Sequence, residues 1–204
     1  VQYFRPLYNL ERVEILRGSN ALLFGRGGGG GVVNRVTKVA DTQDSFTTVG
    51  ANVDSFGATL ATVDTNVRIS DDQALRINGM LQGIENHRDF KDGERWAINP
   101  TYTLKLADST QVVTSWETID DDRIVDRGVP SINGRPVMGF TETFFGDPNL
   151  NQATFEGDIV RLRLDHRFSS NWTSNATVQW ADYDKYYENL YPIGFSDIDS
   201  TVAL

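Results

Sequence analysis

The sequence predicts an all-β fold, namely a partial antiparallel transmembrane β-barrel to which this chain contributes about seven strands. Three observations predict it. Apolar and polar residues alternate with a period of two from residue 44 onward, several alternating segments reach ten residues or more, and tight turns alternate with long connections. Strands of β-sandwiches usually have about five or six residues, so the long segments favour a barrel whose apolar face contacts lipid.

The clearest alternation lies in residues 95–107, "RWAINPTYTLKLA". Its even positions from Trp96 to Leu106 are all apolar, whereas its odd positions from Asn99 to Lys105 are polar. Successive side chains of a strand point to opposite faces, so one face of this strand is apolar and the other polar. Similar or weaker alternation predicts the remaining strands, at residues 49–53, 63–69, 74–83, 110–119, 159–168 and 172–183.

The connections between these segments are of two kinds. Tight turns are predicted at "SDDQ", "ADS" and "SSN", which are built from residues that favour turns by bonding their own backbone. Longer connections are predicted at residues 85–94 and 120–153. Trp96, Phe168 and Trp172 lie beside turns or loops, as the aromatic girdles of membrane barrels require.

Composition excludes several other classes of protein. The 19 basic and 28 acidic residues give a net charge of −9, which argues against a nucleic-acid partner. With no cysteine and two histidines, a disulfide framework or a Cys/His metal site is not expected. No apolar run reaches the ~18 residues of a transmembrane helix. The chain begins without a Met or a signal peptide, and we expect it to be an internal piece of a longer chain.

The first 38 residues have a different character. "LERVEILRG" at residues 10–18 predicts a short strand, and "SNALLF" at residues 19–24 predicts one helical turn capped by Ser19. A run of glycines follows, and residues 25, 27 and 30 match the spacing of a dinucleotide-binding fingerprint. That fingerprint must open a helix, but the β-branched "VVNRVTK" that follows predicts a strand, so we do not expect a phosphate site.

The stretch "NLERVEILRGSNALLFGRGGGGGVVNRVTK" resembles the end of the plug domain of TonB-dependent outer-membrane siderophore receptors. The segments "DRGVPSINGRPV", "TFFGDP" and "DYDKYYENLYPIGF" resemble extracellular loops of the catecholate-type members. The resemblance implies that residues 1–40 are the C-terminal part of a plug and residues 41–204 the first part of a barrel. It also implies that the plug's N-terminal part, including the box that TonB pulls on, lies outside this sequence.

The function that the resemblance implies is uptake of a ferric siderophore across the bacterial outer membrane. The expected partners are the siderophore, TonB and outer-membrane lipid, and iron is expected only as part of the ligand, without a cofactor. No pairing of a nucleophile with a base indicates an enzyme. Two other classes stay open, a passive porin or surface adhesin and a soluble carbohydrate-binding β-sheet.

Two groups of candidate residues follow from this reading. A ferric siderophore is an aromatic or hydroxamate chelate that commonly carries negative charge, so arginines and aromatic rings in the long loops are the expected ligand contacts. These candidates are Arg127, Arg135, Phe144, Phe145 and Tyr187. The plug charges expected to pair with the barrel wall or with each other are Glu11, Glu14, Arg17 and Arg26.

Overall fold

The computed structural model describes residues 5–18, 30–196 and 201–203, and it confirms the all-β fold class. The helical turn predicted at residues 19–24 lies outside the described residues. No helical segment of the described part has the length and apolar character of a membrane span. The strands are β1 (Leu10–Arg17), β2 (Gly31–Thr37), β3 (Phe46–Val53), β4 (Thr59–Arg68), β5 (Gln73–Ile84), β6 (Gly93–Ala107), β7 (Thr110–Ile124), β8 (Ser131–Ile132), β9 (Arg135–Pro136), β10 (Gln152–Arg167), β11 (Thr173–Glu188), β12 (Gly194–Ser196) and β13 (Thr201–Ala203).

Seven strands form the main sheet in the order β11-β10-β7-β6-β5-β4-β3, with every neighbouring pair antiparallel. The three predicted tight turns join β4 to β5, β6 to β7 and β10 to β11, all at one end of the sheet, here called the lower end. The connections β3–β4, β5–β6 and β7–β10 all lie at the opposite, upper end. This arrangement confirms the predicted alternation of turns and loops.

The first two strands form a separate antiparallel hairpin. Their pairing brings the start of β2 close to the end of β1, where Gly31 adopts a φ of 141°. A Cβ at Gly31 would lie 2.7 Å from the backbone oxygen of Leu16, so a residue with a side chain does not fit there. This position explains one glycine of the run, while residues 25–29 lie outside the described part.

The main sheet has an inner face, which packs against residues 5–18 and 30–40, and an outer face. Asn78, Asn99 and Thr101 of the inner face are buried. The outer face carries the alternate residues, and its large apolar side chains are exposed, with Leu162 at 47% and Trp180 at 59%. A wide band of exposed apolar side chains on one sheet face is typical of a surface that lies in lipid.

The outer face changes character along the long strands. Trp116, Val160 and Trp180 lie in register across three strands, and the apolar band extends from them towards the lower end. On the upper side of that row the outer positions are mostly acidic, at Glu94, Asp120, Asp122, Glu156, Asp158, Asp182 and Asp184. About 9–11 residues of a strand cross a bilayer, and β10 and β11 have 16 each. These strands are therefore longer than a bilayer crossing requires, and the excess lies at their acidic upper ends.

Two sequence expectations are corrected here. Residues 120–124 were expected in a loop but belong to β7, and residues 184–188 were expected in a loop but belong to β11. Their outer positions carry acidic instead of apolar residues, so the alternation of hydrophobicity does not continue there. The β7–β10 connection itself spans residues 125–151 and contains the β8–β9 hairpin, with the left-handed pair Asn133 and Gly134 at its turn.

A small apolar core lies on the inner face. Met80, Ala97, Ile119 and Phe155, from four adjacent strands, form a buried cluster. Residues 5–18 and 30–40 are here called the amino-terminal segment, and Tyr8 of this segment packs against the cluster. The segment thus covers the middle of the inner face and separates the upper half of that face from the lower half.

Candidate functional site

Aromatic side chains from separate connections meet at the upper end. The ring centroids of Phe90 and Phe144 are 6.0 Å apart, and those of Phe140 and Phe145 are 5.4 Å apart. Phe195 joins the cluster at 6.2 Å from Phe140. All three pairs meet edge to face, the arrangement that aromatic rings prefer. Phe90 has a φ of 58°, which is uncommon for a bulky residue and is found more often at functional sites than elsewhere.

Arg88 fastens the β5–β6 connection to the β7–β10 connection. Its Nε lies 2.5 Å from the carboxylate of Asp126, and its guanidinium donates a 2.9 Å hydrogen bond to the backbone oxygen of Thr143. The backbone amide of Asp89 donates to the oxygen of Glu142 at 2.8 Å. The Arg88–Asp126 ion pair is nearly buried. It joins the connection that carries Phe90 to the one that carries Phe140, Phe144 and Phe145, so it holds these rings together.

Asn151 closes the base of the β7–β10 connection. Its side chain is fully buried, and its Nδ2 donates to the backbone oxygens of Val125 at 3.1 Å and Leu190 at 2.9 Å. Its Oδ1 accepts from the backbone amides of Leu190 and Asp147. One amide side chain therefore ties together both ends of the connection and the segment that follows β11.

The candidate ligand residues occupy different places around this end. Phe144 and Phe145 lie in the aromatic cluster, and the exposed Arg127 stacks with its Cζ 5.2 Å from the ring centroid of Tyr191. Tyr187 lies in β11 on the inner face, opposite Ala153. Arg135 is exposed on the β8–β9 hairpin.

Three cations on the upper inner face were not predicted from the sequence. Arg95 donates from Nε to Oδ2 of Asp121 at 2.8 Å, and the Nε of Arg123 lies 3.6 Å from Oδ1 of the same carboxylate. Lys91 donates to the backbone oxygen of Ile124 at 2.5 Å. Burial, followed by repulsion from Arg123, lowers the pKa of Lys91. Two arginines thus share one buried carboxylate, and Lys91 lies near them, within the electrostatic influence of Asp126 and Asp121.

The sequence pattern did not reveal these residues, because it placed residues 120–123 in a long connection and not in a strand. Once β7 is continued through residue 123, the alternation places Asp121 and Arg123 on the same face as Arg95. Gly93, which pairs with Arg123, makes room for it: a Cβ at Gly93 would lie 2.5 Å from the Cβ of Arg123. The three cations and the aromatic cluster are here called the upper site.

The amino-terminal segment contacts the middle of the inner face mainly through uncharged groups. Asn9 is 1% exposed, and its Nδ2 donates to Oδ1 of Asn99 at 3.1 Å and to Oε1 of Glu117 at 3.0 Å. The hydroxyl of Tyr8 donates to the same Glu117 oxygen at 3.4 Å. Nothing in the sequence pattern singled out Tyr8 or Asn9, which precede the predicted strand.

A cluster of three charged side chains, Lys38, Asp64 and Arg76, joins the end of the hairpin to β4 and β5. Lys38 Nζ lies 2.9 Å from a carboxylate oxygen of Asp64, and Arg76 pairs with both oxygens of that carboxylate at 2.8 Å. Arg76 also donates to the oxygen of Val39, and Thr103 donates to the oxygen of Ala40 at 2.7 Å. The chain is therefore held firmly to the inner face as it passes from the hairpin to β3.

The four predicted plug charges take different positions. Glu11 lies 3.8 Å from Arg76, so it reaches the wall of the main sheet. Glu14 is bound within the hairpin, where hydrogen bonds from Asn34 and then Arg12 lower its pKa. Arg17 is exposed at the end of β1. Arg26 lies outside the described residues.

Comparison with known proteins adds to this geometry. No protein-family model matches the chain. It is 28% identical over 196 residues to the metal-pseudopaline receptor CntO of Pseudomonas aeruginosa, covering 95% of this chain and 27% of CntO. It is 31% identical over 178 residues to BfrD of Bordetella pertussis, which is named as a TonB-dependent receptor, covering 86% of this chain and 22% of BfrD. The chain thus spans about a quarter of these relatives' length.

Among solved structures, the ferric-catecholate import receptor Fiu of Escherichia coli K12 in its open form aligns with a TM-score of 0.83 at 23% identity. The alignment covers 92% of this chain and 30% of Fiu. At this identity the likeness shows the fold alone. The matches confirm the resemblance to TonB-dependent siderophore receptors that the sequence motifs indicated.

Proposed function

We propose that this chain is part of a TonB-dependent outer-membrane receptor that binds a ferric siderophore at its extracellular side and imports it. In this proposal residues 1–40 end the plug and residues 41–204 begin the barrel. The outer face lies in lipid, the inner face lines the lumen, and the upper end faces the medium. The named functions of the relatives support this proposal, as does the apolar outer face.

The observation that carries the proposal is that two arginines, Arg95 and Arg123, share the single carboxylate of Asp121. A carboxylate shared by two guanidinium groups leaves positive charge on the inner face, where it can attract an anionic chelate. Guanidinium groups bind anionic oxygens through paired hydrogen bonds, and aromatic rings stack on aromatic ligands. The upper site, which includes Phe144 and Phe145, offers both within one region, and we propose Arg127, Arg135 and Tyr187 as further ligand contacts beside it.

The segment on the inner face favours a gated receptor over the two alternatives. A passive porin keeps a water-filled lumen, whereas Tyr8 and Asn9 pack tightly against the wall here. A soluble carbohydrate-binding sheet would cover its apolar face with a second layer, whereas Leu162 and Trp180 are exposed. The contacts of the segment are chiefly hydrogen bonds and ion pairs, which water can replace when a plug moves. TonB is the proposed partner for that movement, and iron enters only within the ligand.

The proposal is tested by removing two charges at the upper end. We expect the double variant Arg123→Gln and Arg127→Gln to bind the tris(catecholate) complex of iron(III) about ten-fold more weakly, because each loses a charge-assisted contact with the anion. Binding is measured with radiolabelled iron on de-energised cells that display the protein. Arg68→Gln, an exposed arginine at the lower end, is the matched control. Equal affinity in the double variant and the parent would contradict the proposal.

A further inference from the structure

Three polar side chains lie side by side on the inner face beneath the amino-terminal segment. Asn78 of β5 pairs with Asp64 of β4 on one side and with Asn99 of β6 on the other. Asn78 is 0% exposed, and Asn99 is also buried. The Cβ atoms of directly opposite residues in an antiparallel sheet are about 4.5–5.5 Å apart. The side-chain amide of Asn78 can therefore reach the polar group on either side of it.

Both neighbours of Asn78 are bound by the amino-terminal segment. On the β4 side, Nζ of Lys38 lies 2.9 Å from the carboxylate of Asp64. On the β6 side, Nδ2 of Asn9 donates a 3.1 Å hydrogen bond to Oδ1 of Asn99. The segment therefore supplies a donor to the polar group on each side of Asn78, while Asn78 lies between the two contacts.

Asn78 itself has no hydrogen-bond partner among the described residues, at either Nδ2 or Oδ1. A buried polar group without a partner raises the free energy of the state that contains it. Asn66 on β4 shows the opposite case, since it is 1% exposed and fully bonded. Its Oδ1 accepts from the backbone amide of Asp41, and its Nδ2 donates to the backbone oxygens of Asp41 and Asp44. The inner face thus satisfies one buried asparagine and leaves another unsatisfied.

We propose that Asn78 is an exchange partner that favours release of the amino-terminal segment from the inner face. When the segment leaves, Asp64 loses Lys38 and Asn99 loses Asn9. The amide of Asn78 lies between the two vacated acceptors and can donate to either of them. The residue that is unsatisfied while the segment is bound therefore gains a partner when the segment is released.

This inference rests on the proposed function, in which the segment ends a plug that moves. The wall then has two hydrogen-bond arrangements, one with the segment bound and one without it. A group that is better satisfied in one of two states shifts the equilibrium towards that state. Asn78 therefore lowers the cost of opening, although it makes no hydrogen bond to the segment within the described part of the chain.

The test replaces the amide of Asn78 by an apolar group of nearly the same shape. Leucine at this position would lie beside Met80 of the apolar cluster, two residues along the same face of β5. In the full-length receptor, reconstituted in planar bilayers at a fixed urea concentration, we expect Asn78→Leu to lower the ratio of conducting to closed channels about ten-fold. The closed state no longer contains an unsatisfied amide, and the open state loses the replacement donor.

Asn66→Leu is the matched control, because it removes a buried asparagine whose amide is satisfied. We expect this variant to raise the ratio of conducting to closed channels, since the chain that follows the hairpin loses three hydrogen bonds. Opposite signs in Asn66→Leu and Asn78→Leu would separate the exchange from a general effect of making the inner face more apolar. Heat-modifiable migration in detergent gels shows that each variant is folded.

A double-mutant cycle with Asn9→Ala tests the exchange itself. In the parent, Asn78 can donate to Asn99 when the Asn9 amide is removed, whereas in Asn78→Leu no replacement donor remains. We therefore expect Asn9→Ala to raise the ratio of conducting to closed channels about five-fold more in the Asn78→Leu background than in the parent. Independent, additive effects of the two substitutions would overturn the inference.

An unchanged or higher ratio in a folded Asn78→Leu variant would overturn it as well. If Asn78→Leu does not fold, Asn78→Ala is the second variant. It should lower the ratio about three-fold, because it removes the same polar atoms but leaves space unfilled. The affinity of de-energised cells for the tris(catecholate) complex of iron(III) should stay within about two-fold of the parent in all these variants. A parent that conducts at no urea concentration would contradict the proposed function, and this inference with it.

Discussion

Asn9 carries the contact between the amino-terminal segment and the inner face through a single side-chain amide. The amide satisfies two acceptors, Asn99 and Glu117, in a place that water does not reach. Removing a buried hydrogen-bond partner leaves the remaining group unsatisfied, which costs about 1–3 kcal/mol. The nearby charged pairs are more exposed or lie at the edge of the contact, so the neutral amide is the position most sensitive to change.

We expect Asn9→Ala to loosen the segment by about 1–3 kcal/mol, because Asn99 loses this donor and Glu117 keeps the longer hydrogen bond from Tyr8. The measurement is the urea concentration at which the protein, reconstituted in planar bilayers, begins to conduct ions, which should be lower in the variant. Asn52→Ala is the matched control, since Asn52 is exposed in β3. A variant that opens at the same urea concentration as the parent would show that Asn9 does not hold the segment.

The residues described above differ in how far the sequence could predict them. Phe144 and Phe145 could be named as candidates because adjacent aromatics in a glycine- and proline-containing loop are visible in a short stretch, and their role as ligand contacts stays a prediction. Arg95 and Asp121 were missed because their pairing joins strands 26 residues apart and depends on register. Asn9 and Lys38 were missed for a related reason. Their partners lie on distant strands, and a single sequence does not show which residues of those strands the amino-terminal segment contacts.

The β7–β10 connection is long, yet one residue closes it. Asn151 bonds to Val125, Asp147 and Leu190, so it replaces the strand pairing that ends there. Gly146 completes the arrangement, because a Cβ at that position would lie 2.4 Å from Nδ2 of Asn151. The aromatic cluster thus depends on a clamp at the base of the connection as well as on Arg88 at its side.

We expect Asn151→Ala to release the connection while the main sheet stays folded, since the residue lies beyond the long strands. Limited proteolysis of intact cells should cleave residues 125–151 about ten-fold faster, which corresponds to a clamp of about 1.4 kcal/mol. Asn149→Ala is the matched control, because the exposed Asn149 bonds only within the turn to Asp147. Cleavage at the same rate in Asn151→Ala and Asn149→Ala would contradict the assignment.

The strands themselves were largely predictable, because an apolar residue at every second position identifies a face that lies in lipid. The ends of the strands could not be predicted in the same way. β7 and β11 continue beyond the apolar band, where both faces are polar and the alternation of hydrophobicity disappears, as at Asp120 and Asp122. There β7 is held by pairing with β6 and β10, and β11 is held by pairing with β10. Pairing leaves no mark in a single sequence.

The seven strands form one continuous sheet whose first and last members each have a single neighbour among the described strands. β3 and β11 pair only with β4 and β10, so each presents a row of unpaired backbone groups on its other side. In the hydrocarbon such groups find no water and must pair with another strand. Within the proposed receptor, further strands of the barrel would satisfy both edges.

We expect the 204-residue chain, produced by itself and refolded in detergent micelles, to associate through these two edges, because edge-to-edge pairing satisfies the open backbone groups. Light scattering coupled to gel filtration should give dimers or larger species that dissociate on dilution. Hydrogen exchange should show protection of β3 and β11 amides that increases with protein concentration. The amides of β6, which is paired on both sides, provide the internal control, since their protection should not depend on concentration. A monomer at every concentration, with β3 and β11 protected as strongly as β6, would mean that the chain satisfies both edges by itself, and the open-sheet architecture would then be wrong.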